Sequence, residues 1–368
     1  MVRPSRVLVT GFPALRARFV VEAVAQREPE STLLALVHPE RLTEAEEARA
    51  ALPVGLAARL ELVAGDPAAM DFGFSGKDYL ALVERVDVVH AAYSITDPAV
   101  SAEVCERVNV GAARELVELG RARSRPLPVV FYSSVFVSGG RSGRVLEGDL
   151  EAGQSFRSAA ERTLAIAERI LRRGDMPLLV LRSGHLLGDR MSGAMDHLSG
   201  PYALVVLIAS APEDGPISLP PGSDAPLPLT AVDRLAELGA FAAGAGAFGR
   251  TIHALDFGSV TLREFLELCA ERCGKRIEPG FHPTAFTRLL LGNPAARLLQ
   301  QRARGILDVL TTSAEYDTRE LLELTASGAP HAAALDAYVT PLVDHVRARI
   351  QDGTLVPTRH SFAPWLVA

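Results

Sequence analysis

Six times along this chain a short apolar run is followed by a stretch with helical spacing. The runs begin at Val7, Thr32, Leu60, Val86, Val129 and Leu178. Thr32-Leu33-Leu34-Ala35-Leu36-Val37 is apolar almost throughout and does not alternate, as expected of a strand covered on both faces. Helical stretches are read from about Thr43, over Asp78 to Val86, from about Ala99 to Ala122 and from about Ser158 to Arg173. Parallel strands joined by helices need right-handed crossovers, so the economical architecture is α/β with a doubly wound parallel sheet.

Beyond Gly184 the pattern loosens. Residues 212–228 are rich in Pro, Gly and Asp and read as a loop. A helix is expected to start over Leu229 to Asp233 and run to about Ala243, with another strand over Thr251 to Leu255. Leu262 to Cys273 and Asp336 to Ile350 have the spacing of amphipathic helices. The expected division is a Rossmann-type dinucleotide-binding core over 1–190, with 229–257 returning to it. Residues 191–368 then supply mainly a smaller α-rich substrate lobe and C-terminal helices, over the carboxyl edge where ligands bind in such sheets.

The first turn reads as the opening of a dinucleotide-binding unit, a signal that the rest of the chain has to support. Val7-Leu8-Val9-Thr10-Gly11-Phe12-Pro13-Ala14-Leu15-Arg16-Ala17 reads as a strand, a tight turn and a helix start. In a dinucleotide fold that helix N-terminus faces the cofactor pyrophosphate. The full fingerprint would be Gly-x-x-Gly-x-x-Gly, but this chain keeps Gly11 and has Ala14 and Ala17 in the other two places. The second glycine lets phosphate approach the backbone and the third lets helix and strand pack closely, so cofactor binding is expected to be weak or absent.

Other classes are excluded more simply. The net charge is −6, with no basic block, which speaks against nucleic acid. Cys105, Cys269 and Cys273 are too few for a disulfide framework and read as buried thiols, with no metal site expected. The apolar stretch from Ala203 to Ala211 is far short of the ~20 residues of a membrane span, and no signal-peptide run opens the chain. A cytoplasmic location is expected.

Several short motifs occur in a telling order: Val9-Thr10-Gly11-Phe12-Pro13, Gly65-Asp66, His90-Ala91-Ala92, Asn109-Val110 and Ser133-Ser134-Val135-Phe136-Val137. They are followed by Arg182-Ser183-Gly184, Leu187-Gly188-Asp189, Gly200-Pro201-Tyr202, Val232-Asp233 and Tyr316-Asp317. In this order the chain resembles the extended short-chain dehydrogenase/reductases (SDRs), in particular the fatty acyl-CoA reductase and thioester reductase branch. The resemblance implies that Asp66 touches adenine, that Ala91 and Ala92 line the adenosine ribose, and that Ser134 bonds the substrate carbonyl. It extends the cofactor set to Thr10, Gly11, Phe12, Pro13, Ala14 and Asn109. The second strand ends at His38 with Arg41 nearby. An acid there favours a free ribose and a base the 2′-phosphate, so NADP is favoured over NAD, with a solvated loop histidine as the alternative.

Enzymes of the family deliver a proton from a tyrosine helped by a lysine four residues on, two positions that share a helix face. Here one register puts Ala160 and Leu164 in those places, and the other puts Phe156 and Ala160. Either way both groups are lost, and the chain's only lysines are Lys77 and Lys275. An arginine such as Arg157 or Arg162 could hold a ribose but not shuttle a proton. The preferred reading is a catalytically degenerate reductase fold that binds a small molecule or a protein partner. A non-standard enzyme using Ser134, Tyr132 and His185, with histidine as acid or base, is the second reading. An ordinary NADP-dependent acyl-thioester or aldehyde reductase is the third. The apolar late helices could also pair subunits.

Overall fold

The computed structural model describes residues 5–196, 200–211, 217–219, 222–256, 260–278 and 312–354. Its centre is a seven-stranded, wholly parallel sheet. In chain order the strands are β1 (Arg6–Thr10), β2 (Thr32–Val37), β3 (Leu60–Ala64), β4 (Val88–Ala91), β5 (Val129–Ser134), the short β6 (Gly143–Val145) and β7 (Leu178–Ser183). There follow β8 (His185–Leu187), β9 (Ile217–Ser218), β10 (Leu229–Ala231), β11 (Thr251–Ala254), β12 (Ile277–Glu278) and β13 (Ala314–Tyr316). The main sheet runs β11-β7-β5-β4-β1-β2-β3, so the order reverses between β1 and β4. Open α/β sheets take their ligands at such a switch point.

Strand residues alternate between two helical layers, as a period of two requires. Val7, Val9, Val130 and Tyr132 face one core with α1 (Leu15–Arg27) and α9 (Val232–Gly244). Leu8, Val89, Val129 and Phe131 face the other. The helices before the late lobe are α2 (Leu42–Ala50), α3 (Val54–Ala57), α4 (Gly76–Arg85), α5 (Ala102–Cys105), α6 (Ala112–Arg121) and α7 (Ala159–Arg172). Of these α4, α6 and α7 cover the second face. A third core belongs to the late lobe, where α8 (Pro201–Ala209) is buried nearly all round. It packs with α10 (Leu262–Arg272) and α12 (Leu335–Gln351).

Two late segments depart from the sequence reading. Leu229–Ala231 is a strand that pairs in parallel with His185–Leu187, and α9 begins only at Val232. Thr230 explains it: its hydroxyl accepts from the Gly184 N–H (2.9 Å) and donates to the Ala254 carbonyl (2.6 Å), knotting the ends of three strands. The segment from Ala314 also returns to the core side, pairing β13 with β6. Helix α11 (Arg319–Ala326) then buries Leu321 and Leu324 in the α1/α9 core. Residues 212–216 and 220–221, part of the expected loop, lie outside the described residues.

Sheet and α7 are tied by a buried ion network. Glu168 and Arg182 are both fully buried and meet at 2.7 Å. The Glu168 carboxylate also accepts from Ser133 Oγ (3.1 Å) and from Arg172 Nη2 (2.7 Å). Its charge is compensated by two guanidinium groups, the condition under which a buried carboxylate is tolerated.

Candidate functional site

The sequence-expected cradle forms at the end of β1. Gly11 has φ +93°, and a Cβ there would stand 3.2 Å from the Ala92 carbonyl oxygen and the Tyr93 backbone. Glycine is therefore demanded both by conformation and by the close passage of β4's exit. Thr10 Oγ1 accepts from the Tyr93 N–H at 3.1 Å, and the Ala14 N–H closes the turn on the Gly11 carbonyl at 3.0 Å. Phe12 and Pro13 are buried. Ala14 stands at the N-cap of α1 and has no side chain to cap it.

The cap comes from elsewhere. The Leu15 N–H donates to Asp196 Oδ2 at 2.5 Å, and Arg18 Nη2 lies 3.7 Å from Asp196 Oδ1. Asp196 follows a turn held by Tyr202, whose hydroxyl accepts from the Gly188 N–H (2.7 Å) and donates to the Gly193 carbonyl (2.7 Å). Gly193 has φ +66° and passes so close to the Pro341 carbonyl that a Cβ would collide with it. Arg16 folds the other way. Its Nε and Nη2 donate to the Ala92 carbonyl at 3.1 and 2.7 Å, and Nη2 also reaches the Ser94 carbonyl (2.9 Å) and Ser94 Oγ (2.8 Å). Burial lowers the Arg16 pKa to about 10, so it remains a cation at neutral pH.

Just past the carboxyl ends of β2 and β3 the structure places the residues expected around adenosine. His38 Nε2 lies 3.9 Å from Asp66 Oδ2, and His38 Nδ1 accepts from the Glu40 N–H at 3.4 Å. Arg41 pairs with Glu44, and Asp66 Oδ1 accepts from the Ala68 N–H at 2.9 Å. Ala91 and Ala92 are buried behind them. Tyr93 joins this group. Burial and the Asp66 carboxylate raise its pKa, while Arg107 and Arg41 oppose the shift. Sequence reasoning passed over Arg16, Tyr93, Arg107 and Asp196. The signals at hand were an arginine inside the fingerprint turn and an aromatic just past the two small residues of β4's exit.

Ser134 ends β5 with its hydroxyl engaged, donating to the Ser183 carbonyl (3.2 Å) and accepting from the Phe136 N–H (3.3 Å). Asn109 lies in a π-helical stretch, Glu106–Gly111. Its amide clamps Ile95, accepting from the N–H (2.7 Å) and donating to the carbonyl (3.0 Å), and donates to Thr163 Oγ1 of α7 at 2.9 Å. Asn109 thereby fixes the loop after β4 against α7.

Tyr132 is not brought to Ser134. It is fully buried in the α1/α9 core, where its hydroxyl meets His90 Nδ1 at 3.0 Å and presses on α9 at Gly239. Burial pushes its pKa up. His185 is 9% exposed with its ring centroid 4.5 Å from that of Phe136, and its Nε2 has no hydrogen-bond partner among the described residues. Burial, reinforced by the Arg157 charge, lowers its pKa to about 3. A histidine held neutral by burial is a weak general base at neutral pH.

Helix α7 begins at Ala159 behind the N-cap Ser158. Phe156 therefore precedes the helix, and only Ala160 and Leu164 form an i, i+4 pair on it. Both are 1% exposed, and Leu164 packs in the core with Leu8, Phe131 and Val137. Lys77 lies on α4, and Lys275 Nζ donates to the Ala211 carbonyl in the late lobe.

Comparison with known proteins fits this anatomy. A family model described as "Male sterility protein", for an NAD-binding domain, matches residues 9–237. The terminal R domain from the myxalamid PKS-NRPS biosynthetic pathway superposes with a TM-score of 0.77 at 19% identity, over 96% of this chain and 92% of that one. The reductase (R) domain of a non-ribosomal peptide synthetase from Mycobacterium tuberculosis gives 0.68 at 17% identity, over 96% and 93%. UDP-glucuronic acid 4-epimerase from Bacillus cereus, solved in complex with NAD, gives 0.64 at 14% identity, over 94% and 98%. At these identities the likeness establishes the fold. No curated protein matches the chain.

Proposed function

The chain belongs to the male sterility protein family, within the extended SDRs, and from that premise we propose that it uses the reductase fold to hold a small molecule or a protein partner rather than to transfer hydride. The observation that carries this reading is α7. Where the family needs a proton donor and an ammonium, the chain has Ala160 and Leu164, both buried. Ser134 Oγ is already engaged with backbone groups, and Tyr132 faces the opposite core. Loss of a general acid alone costs ~10²–10⁴-fold in rate, and here the residue that would tune it is missing as well.

The cofactor that the family implies, a nicotinamide dinucleotide, fits one end of the crevice better than the other. His38, Arg41, Asp66 and Tyr93 gather where adenosine would lie, with arginine suited to a 2′-phosphate. At the diphosphate end the N–H of Leu15 is bonded to Asp196 and Arg16 is folded onto Ala92 and Ser94. As folded, that end does not fit the group.

The test is NADPH consumption by purified protein with acyl thioesters and aldehydes, run beside Ser134→Ala. No turnover by either protein is expected. Turnover by the wild type that Ser134→Ala abolishes would replace this reading with that of an NADP-dependent reductase.

A further inference from the structure

We propose that Asp196 is a built-in occupant of the diphosphate position, so that the loop from Gly188 to Asp196 closes the nucleotide crevice of this chain from within. A helix N-terminus presents unpaired N–H groups and a partial positive charge, which is why a dinucleotide fold sets its pyrophosphate there. In this chain Ala14 supplies no cap, and the first helical N–H, that of Leu15, is satisfied by a carboxylate contributed 181 residues downstream. Arg18, one turn into the same helix, faces the other carboxylate oxygen. Asp196 thus meets one N–H and one cation with a compact negative charge, the same partners a phosphate would seek.

The approach of Asp196 is engineered by its own loop. Two hydrogen bonds from the single hydroxyl of Tyr202 pin Gly188 and Gly193. The Gly193 N–H reaches the Asp189 carbonyl (2.9 Å) and the Asp189 N–H the Ala194 carbonyl (3.2 Å), making a compact turn. Gly193 is pressed against α12, so the loop is backed by the late lobe and cannot lean away without disturbing it. Arg16 completes the closure from the other side. Its guanidinium satisfies the Ala92 and Ser94 carbonyls at the exit of β4, and so draws that exit onto the first turn of α1. Asp196 thus holds the backbone at the start of α1, while Arg16 holds the backbone at the exit of β4.

The inference rests on the family reading for the identity of the excluded group, but it concerns binding and not turnover, so the two can fail separately. The experiment is calorimetric titration of the full chain with NADPH and, separately, inorganic pyrophosphate. It compares wild type, Asp196→Ala and Asp196→Asn. Asp196 is partly exposed, and circular dichroism confirms that each variant is folded before titration. The wild type should bind NADPH no better than millimolar. Asp196→Ala should bind at least about tenfold tighter, because a carboxylate no longer competes for the helix end. Asp196→Asn, which keeps a carbonyl acceptor but no charge, should fall between them. Equal affinity in wild type and Asp196→Ala, whether strong or undetectable, overturns the proposal. Hydride transfer by Asp196→Ala would leave it standing and sink the non-catalytic reading instead.

Discussion

Replacing Leu164 by lysine asks whether the ammonium missing from α7 can be put back. Leu164 is 1% exposed and sits in the core that also holds Leu8, Val89 and Phe131. Giving up a buried leucine costs about 1.5–3 kcal/mol. The larger penalty is the charge. A fully buried lysine has its pKa lowered by ~3–5 units, each worth ~1.4 kcal/mol. Between that folded pKa and the unfolded value of about 10.4 the unfolded chain binds the extra proton, so stability rises with pH across the window. The penalty is therefore near its full size at pH 7 and fades toward pH 10. Relative to wild type, Leu164→Lys should be destabilised by about 5 kcal/mol or more at neutral pH and recover roughly 3–4 kcal/mol by pH 10. Urea denaturation at both pH values, followed by circular dichroism, measures the difference. An Ala160→Tyr/Leu164→Lys double variant should still not consume NADPH. A small, pH-independent loss would refute the argument, since it would mean that the lysine head reaches the cleft and that position 164 opens onto the site.

Four further outcomes are expected. Glu168→Ala strands the fully buried Arg182 beside it and should cost about 3–5 kcal/mol, read as a lowered urea midpoint; a loss under 1 kcal/mol would contradict the network. Gly11→Ala forces a side chain into φ +93° within 3.2 Å of the Ala92 carbonyl and should destabilise by ~1–3 kcal/mol, measured by thermal unfolding. Burial lowers His185 and His253 to about 3 and His90 to about 4, whereas unfolded imidazole titrates near 6.5. The unfolded chain thus takes up protons the fold refuses, and stability should fall as pH drops from 6.5 toward 4. His185→Phe removes one such group and an unpaired buried nitrogen; it should move the acid-unfolding midpoint to lower pH, and an unchanged midpoint would count against His185 as a contributor.

Much of the fold was legible because buried parallel strands announce themselves as unbroken apolar runs, and the turn at Gly11 because its backbone admits no other residue. The loss of tyrosine and lysine was legible for a simpler reason: a chain with two lysines leaves few places to look. Tyr132 lies fully buried in the α1/α9 core, a placement that nothing in its local sequence announces. It shares a face with Val130, which packs under α1 and α9. The start of α9 was misplaced because Leu229–Ala231 is apolar enough for either state, and only the bonds of Thr230 to two distant strands decide it. Asp196 had no local signal at all. Its meaning lies in a contact with a residue 181 positions upstream, and an isolated aspartate before a helix reads as an ordinary turn residue.

Tyr202 belongs to α8, the central helix of the late lobe, yet its hydroxyl anchors the loop that delivers Asp196 to α1. One side chain of the late lobe therefore fixes the turn that precedes the Asp196 cap. Any ligand whose seat in the lobe displaces Tyr202 also weakens the carboxylate's hold on the crevice, and thermodynamic reciprocity sets the exchange rate. The factor by which that ligand improves nucleotide affinity is the factor by which nucleotide improves its own. On the closure proposed above, a lobe ligand and a dinucleotide would each report on the other.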